Sequence, residues 1–174
     1  MSFHHVALAT KDVQATHAFY TEAMGFELVK VEPINTESGG WAKHLFYDTG
    51  GDGMIAFWDL HDESIGDDWD PSISRGVGLP QWTNHLAWKA DDLEDLARRR
   101  DRWLACGHDV VEIDHHWCVS IYTRDPNDNL VEFCLSTAAF TAQDRETALA
   151  ALTSSAPAFS RPPASIESHS PDDD

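Results

Sequence analysis

The sequence contains two similar stretches, and each begins with a histidine on a short apolar segment. In the first stretch, His5 is followed by Val-Ala-Leu-Ala and, seven residues later, by Asp12. In the second, His85 is followed by Leu-Ala-Trp and, again seven residues later, by Asp92. A repeat that occurs twice constrains the fold, because both copies are expected to adopt the same supersecondary unit. The chain is therefore predicted to contain a duplicated module.

Each copy has the same predicted order of elements. Apolar alternation over 3–9 and 84–90 predicts a half-buried strand, and apolar residues at helical spacing follow over 13–24 and 91–105. Three more strands complete each unit, with a glycine-rich hairpin turn at 50–53 in the first copy. The predicted fold class is α+β, with two paired β-α-β-β-β modules that form a curved mixed sheet cup. The additional strands are predicted over 26–32, 42–48, 54–60, 109–114, 117–123 and 130–136.

The C-terminal part of the chain differs from the duplicated modules. A capping signal opens at Thr141, so a helix is predicted over 141–153. Residues 154–174 are rich in serine and proline and end in three aspartates, which predicts a disordered acidic tail. The predicted organisation is a single domain over 1–140, comprising module one (1–60), a linker or lid (61–81) and module two (82–140).

Composition limits the partners that the protein can have. The formal net charge of −18 disfavours nucleic acid and anionic membranes, both of which would be repelled. No apolar run approaches the roughly 20 residues of a membrane span. The three cysteines are odd in number and lack metal-type spacing, which favours free thiols in a reducing compartment. We expect a soluble, cytoplasmic protein with a small-molecule substrate and no nucleic-acid or membrane partner.

Strand alternation predicts a metal site. A single strand histidine is more often a hydrogen-bonded core residue than a ligand, but His5, His85 and Glu132 occupy matching places in the duplicated scaffold. Two imidazoles and one carboxylate form the facial triad that suits non-haem Fe(II). The three ligands are predicted to project from the face opposite the helices, because their sequence neighbours are apolar. These neighbours are Val6, Leu8, Leu86, Trp88, Val131 and Phe133.

The paired modules with these three ligands resemble the vicinal oxygen chelate superfamily over residues 3–136. This superfamily includes glyoxalase I, methylmalonyl-CoA epimerase, fosfomycin-resistance transferases, bleomycin-resistance binders and extradiol dioxygenases. The resemblance implies that both sheets surround one divalent metal, with Fe(II) expected and Mn, Zn or Ni as alternatives. It also implies a homodimer.

The second module is most similar to one-domain extradiol dioxygenases. The segment from Ile113 to Glu132 resembles the extradiol signature, which has a His, an apolar-Tyr pair, Asp-Pro, a Gly and the ligand Glu; Asp128 stands where the family usually has Gly. By this resemblance, His115 would hydrogen-bond the substrate or oxygen, and Tyr122 would hold a catecholate oxygen. The implied function is a non-haem Fe(II) ring-cleavage dioxygenase of aromatic compound catabolism, which cleaves a catechol-like substrate with dioxygen.

Strand parity adds a constraint on these catalytic candidates. His115 and Tyr122 differ in parity, so a bulge or loop at 114–116 is needed if both side chains are to point inward. His116 is the alternative to His115.

The extradiol family also carries an acid–base histidine just before the strand that corresponds to 54–58. Here that place holds Asp52 or Gly53, so Asp52, His44 and His61 are the candidate substitutes.

Two other functions stay open at this point. One is a glyoxalase-like metal-dependent lyase or isomerase, in which a fourth ligand carboxylate would be expected where this chain has Ala56. The other is a small-molecule (antibiotic) binding protein, which would not need the three metal ligands.

Overall fold

The computed structural model describes residues 3–51 and 53–171, which form two sheets, three α-helices and a short 3-10 helix over Arg75–Val77. The strands are β1 (His5–Thr10), β2 (Glu27–Asn35), β3 (Trp41–Gly51), β4 (Gly53–His61), β5 (His85–Lys89), β6 (Val110–Asp114), β7 (Cys118–Arg124), β8 (Leu130–Ser136) and β9 (Ser165–His169). The helices are α1 (Val13–Ala18), which continues as a π-helical turn over Phe19–Ala23, α2 (Leu93–Ala105) and α3 (Ala142–Thr153). No helix in these described ranges is long and apolar enough to cross a membrane.

Both modules have the predicted β-α-β-β-β order. The first sheet has the order β1-β4-β3-β2 and the second β5-β8-β7-β6-β9. In both sheets the first strand pairs in parallel with the fourth, so that Ala7 is opposite Ala56 and Ala87 is opposite Glu132. The equivalence of Ala56 and Glu132 is therefore confirmed, as is the α+β fold class with its two mixed sheets and C-terminal helix.

The two aspartates of the repeat begin the helices. The Asp12 side chain accepts hydrogen bonds from the backbone N–H groups of Gln14 and Ala15, and Asp92 accepts one from Asp95. Each aspartate thus satisfies N–H groups that have no partner within the first helical turn. The spacing of histidine and aspartate recurs because it is the length of one strand plus the cap of the helix that follows.

The two modules share one hydrophobic core. Phe26 of module one packs against Trp88 and Phe133 of module two, with ring centroids 5.3 and 6.5 Å apart. The hydroxyl of Tyr20 donates a hydrogen bond of 3.0 Å to the buried carboxylate of Asp125. Since these contacts join the helix-side faces of the modules, they leave the opposite face of each sheet available for a site.

Most of the residues predicted to lie under the helices do pack on this core. Val6 differs because it is 37% exposed, on a strand that has only one neighbour in its sheet. The residues that meet the prediction are Leu8, Leu86, Trp88, Val131 and Phe133.

The predicted disordered tail over 154–174 is wrong for residues 165–169, which form β9. This strand pairs antiparallel with β6, with Ile166 opposite Ile113. The backbone N–H of Ala164 also donates to the Asp114 carbonyl oxygen at 2.8 Å. The tail can bury little apolar surface, but the free edge of β6 offers backbone hydrogen bonds that an extended segment can make whatever its composition. Residues 172–174 lie outside the described part of the chain.

Candidate functional site

Four predicted site residues form a connected group on module two. Tyr122 of β7 lies directly opposite Glu132 of β8. The Nε2 atom of His85 lies 3.2 Å from Oε2 of Glu132, and Nε2 of His115 lies 3.1 Å from the hydroxyl of Tyr122. We call these four residues the module-two cluster. It links two predicted metal ligands to both predicted catalytic residues.

The cluster combines buried and exposed side chains. Glu132 is 5% exposed, whereas the side chain of His85 is 39% exposed. A buried carboxylate requires partners, and here the imidazole of His85 supplies one, while Tyr122 lies directly opposite on the neighbouring strand. The exposed edge of His85 leaves the cluster accessible from solvent.

A tight turn brings His115 onto Tyr122. Strand β6 ends at Asp114, and the backbone N–H of His115 donates to the carbonyl oxygen of Cys118 at 2.8 Å. His116 adopts a left-handed conformation with φ 72°, and its N–H is held by the Asp114 carboxylate at 2.6 Å. The loop that parity required at 114–116 is therefore present. The ring of His116 instead contacts the carbonyl oxygen of Pro162 at 2.8 Å, so His115 is the better catalytic candidate.

The phenol of Tyr122 is a hydrogen-bond donor at neutral pH. Burial raises its pKa well above the usual value, and Glu132 raises it further, although a hydrogen bond from Ser120 acts in the opposite direction. A phenol in this state can donate its proton to an anionic oxygen placed beside it.

His5 does not join the module-two cluster within this chain. Its ring lies on module one, 5.9 Å from the ring of His44 and 5.4 Å from that of Phe46, and its Nδ1 atom is 2.7 Å from Nδ1 of His4. Across residues 3–51 and 53–171, no three His, Cys, Asp or Glu side chains are grouped closely enough to hold a metal ion. One chain thus brings together two of the three predicted ligands, and the complete three-ligand site stays a prediction.

Three residues were predicted as substitutes for the acid–base histidine of the extradiol family. Asp52 lies outside the described residues. The Nε2 atom of His61 is 2.9 Å from the carboxylate of Asp59, at the far end of β4. His44 lies beside His5 and is stacked on Trp58 with ring centroids 3.8 Å apart. His44 is therefore the only one of the two described candidates that contacts a predicted ligand.

Sequence reasoning did not identify the small polar residues beneath the cluster. Ser120 is fully buried and lies opposite Cys134, on the face that carries Tyr122 and Glu132. Cys118 lies next on the same strand face, and burial raises the pKa of its thiol to about 12. Alternation by two residues along β7 could have predicted that Cys118 and Ser120 share the face of Tyr122. It could not predict which hydrogen bonds the side chains on this face form.

Comparison with known proteins identifies the family. The family profile of the Glyoxalase/Bleomycin resistance protein/Dioxygenase superfamily matches residues 2–133. The chain belongs to this superfamily. No curated protein sequence matches it.

Several solved structures have a similar fold, and the proteins they represent are named for different activities. Lactoylglutathione lyase from Agrobacterium tumefaciens is 26% identical, with 77% of this chain and 92% of that chain covered and a TM-score of 0.51. The fosfomycin resistance protein FosX from Listeria monocytogenes is 20% identical, with coverage of 83% and 98% and a TM-score of 0.55. TnmS3, an antibiotic binding protein from Streptomyces sp. CB03234, is 18% identical, with coverage of 79% and 97% and a TM-score of 0.53. The last two similarities show the fold alone.

Proposed function

We propose that this superfamily member is a metal-dependent extradiol-type dioxygenase that cleaves a catechol-like aromatic substrate with dioxygen. One observation carries the proposal: the phenol–imidazole pair of Tyr122 and His115 directly adjoins the ligand pair of Glu132 and His85. A ring-cleavage site needs this neighbourhood, because the substrate must lose protons where it meets the metal.

The donor set partly fits a facial-triad metal. His85 and Glu132 supply one nitrogen and one oxygen already in contact, and His5 would supply the third donor. Fe(II) is the proposed metal, with Mn, Zn or Ni as alternatives, and when bound it would acidify the catechol and provide open positions for substrate and dioxygen. Ala56 keeps those positions open, since it cannot act as a fourth ligand.

The residues beside the ligand pair would hydrogen-bond the substrate oxygen and transfer protons. Tyr122 would donate a hydrogen bond from its phenol to a catecholate oxygen, which its raised pKa favours because the phenol keeps its proton at neutral pH. His115 would hold the other end of this hydrogen-bond chain, at Nε2, and would accept or return a proton through the Tyr122 hydroxyl.

A second copy of the chain would complete the site. His85 and Glu132 belong to module two, whereas His5 lies apart from them on module one. We therefore propose a homodimer in which the third ligand comes from His5 of the partner subunit. We place this protein in the cytoplasm, since all three of its cysteines are free thiols.

A glyoxalase-like lyase or isomerase is the second candidate. The 26% identity to a lactoylglutathione lyase favours it, but a carboxylate at position 56 would be expected and Ala56 is present. The net charge of −18 also disfavours an anionic thioester substrate. A binding protein without catalysis is disfavoured by the close contact of His85 with Glu132, because binding alone does not need a metal-ligand pair.

Metal analysis after anaerobic purification tests the proposed function. We expect stoichiometric iron and a yellow product from 2,3-dihydroxybiphenyl or catechol in air. His85→Ala should lose at least about 90% of the iron, because the remaining ligands hold a divalent ion weakly. Stoichiometric zinc in the wild-type protein together with no oxygen uptake on any catechol would favour the lyase instead.

Mixing two inactive variants tests the shared site. His5→Ala and His85→Ala homodimers should each lack activity, because each lacks one ligand in every site. After subunit exchange, a mixed dimer would contain one intact site and one site that lacks both histidines. We expect activity to return to about a quarter of the wild-type value in an equal mixture, since half of the dimers are mixed. If activity does not return although mass spectrometry shows mixed dimers, the three ligands must come from one chain.

A further inference from the structure

The second half of the linker is hydrogen-bonded to the turn between β7 and β8. The carbonyl oxygen of Asp128 accepts from the Ser72 hydroxyl at 3.2 Å and from the Gln81 side chain at 3.1 Å. The Asp128 carboxylate binds Gln81 again, together with Arg75 at 2.7 Å. Arg124 lies 3.7 Å from the same carboxylate. We call this set of contacts the Asp128 junction.

Asp128 occupies a backbone position that favours glycine. Its φ is 58°, in the left-handed region, and it stands where the extradiol signature usually has Gly. Aspartate is among the few residues that tolerate this region, at a modest cost. In exchange, it provides a carboxylate that glycine lacks, and Arg75 and Gln81 both bind it.

Further hydrogen bonds connect the junction to the start of β5. The Asn129 side chain accepts from the backbone N–H of Ile73 at 2.8 Å. Asn84 donates its backbone N–H to the Ser74 hydroxyl and its side-chain amide to the carbonyl oxygen of Ile73, both at 2.7 Å. Asn84 is followed directly by His85. The linker is therefore held at the turn and at the residue before a predicted ligand.

The same turn also leads into the other ligand strand. Strand β8 begins at Leu130, directly after Asn129, and pairs with β5 so that His85 is opposite Leu130. Glu132 follows two residues later on the same face. The starts of both ligand strands are thus connected through one hydrogen-bonded segment.

We propose that Asp128 is a positioning residue for the His85–Glu132 pair. Through Arg75 and Gln81 it fixes the linker against the β7–β8 turn, and the linker in turn fixes Asn84 and the orientation of His85 beside Glu132. This inference rests on the proposed function, because it assigns a role toward the metal that the pair would bind.

Cobalt binding to the full-length apoprotein tests this role. Asp128→Gly keeps the turn, since glycine adopts positive φ freely, but it removes the carboxylate. We expect the dissociation constant for Co²⁺, followed by visible absorption, to rise about tenfold, near the lower end of the effect of groups that orient ligands. The melting temperature should stay within about 3 °C of wild type, because the turn is retained.

Two further variants distinguish positioning from a general structural role. Asp128→Asn tolerates the same φ and can still bind Gln81, so it should restore part of the Co²⁺ affinity. Arg75→Ala should weaken binding as well, and the double variant with Asp128→Gly should be less than additive, because both remove the same contact. Lys30→Ala is the matched control: it removes an exposed ion pair with Glu32, of 2.6 Å, on module one and should leave Co²⁺ affinity unchanged.

The outcomes separate this inference from the proposed function. If His85→Ala abolishes Co²⁺ binding while Asp128→Gly binds like wild type, only the positioning role is overturned. A weaker affinity of Asp128→Gly that is matched by a large fall in melting temperature also overturns it, in favour of a structural role. If His85→Ala binds Co²⁺ like wild type, the proposed metal site and the positioning role both fail.

Discussion

The two modules share one backbone register and carry different chemistry on it. At equivalent positions of the third and fourth strands, module one has Phe46 opposite Ala56, whereas module two has Tyr122 opposite Glu132. The histidine of the repeat is present in both modules. The two modules therefore present equivalent strand positions. At two of these positions module one has an apolar pair of side chains, whereas module two has a pair that can donate and accept hydrogen bonds.

The next pair along the same strands extends this difference. Module one has His44 opposite Trp58, and their rings stack 3.8 Å apart. Module two has Ser120 opposite Cys134, both with short side chains. Because large rings fill the face of module one, the Nε2 atom of His44 is buried without a hydrogen-bond partner in the described structure. In module two, the hydroxyl of Tyr122 beside these short residues contacts Nε2 of His115 at 3.1 Å.

Introducing a carboxylate into module one should have the largest effect of the substitutions that test the difference between the modules. Ala56→Glu would place the equivalent of Glu132 at a site with 0% exposure, where the residue opposite is Phe46 rather than a tyrosine. We expect the free energy of unfolding to fall by about 3 kcal/mol or more, because a buried carboxylate without adequate donors is strongly destabilising. Urea unfolding at neutral pH measures this change.

Ala56→Met is the control for volume. It adds a side chain of similar length without charge, and we expect it to cost about 1–3 kcal/mol through overpacking alone. If the glutamate variant were as stable as the methionine variant, module one could accommodate a carboxylate. The difference between the modules would then not arise from the polar surroundings of the two positions.

Sequence periodicity could predict the faces of the strands but not how the two sheets are placed. His85, Tyr122 and Glu132 share a face because alternation along neighbouring strands is local, and the structure brings them together as that argument implies. The turn at His115 can also be predicted from the sequence, since parity alone requires it. The separation of His5 from this group cannot be predicted in this way, because parity says nothing about the arrangement of one module relative to the other.

The C-terminal strand shows a second limit. Residues 165–169 have little apolar content, so composition predicts disorder, yet they pair with β6 along its whole length. Backbone hydrogen bonds at a sheet edge depend on which strand is left unpaired, and this is a property of the assembled fold. Asp128 illustrates the same point at one residue: its departure from the family pattern is visible in the sequence, but its partners Arg75 and Gln81 are not.

Tyr122→Phe gives module two the phenylalanine that module one has at the equivalent position, Phe46. We expect it to have a smaller effect on the protein than Ala56→Glu. The variant keeps the ring opposite Glu132 and removes the hydroxyl that contacts His115. We expect metal content to stay at the wild-type level and turnover on a catechol to fall about a hundredfold, the range for loss of one positioned proton donor. Steady-state kinetics on protein of known metal content measures this, with His116→Asn as a control because asparagine tolerates the left-handed φ of this position and the His116 ring faces the carbonyl oxygen of Pro162 instead. Wild-type turnover in Tyr122→Phe would mean that the protic pair of module two serves only to satisfy the buried Glu132, and the chemical contrast between the modules would then be structural rather than catalytic.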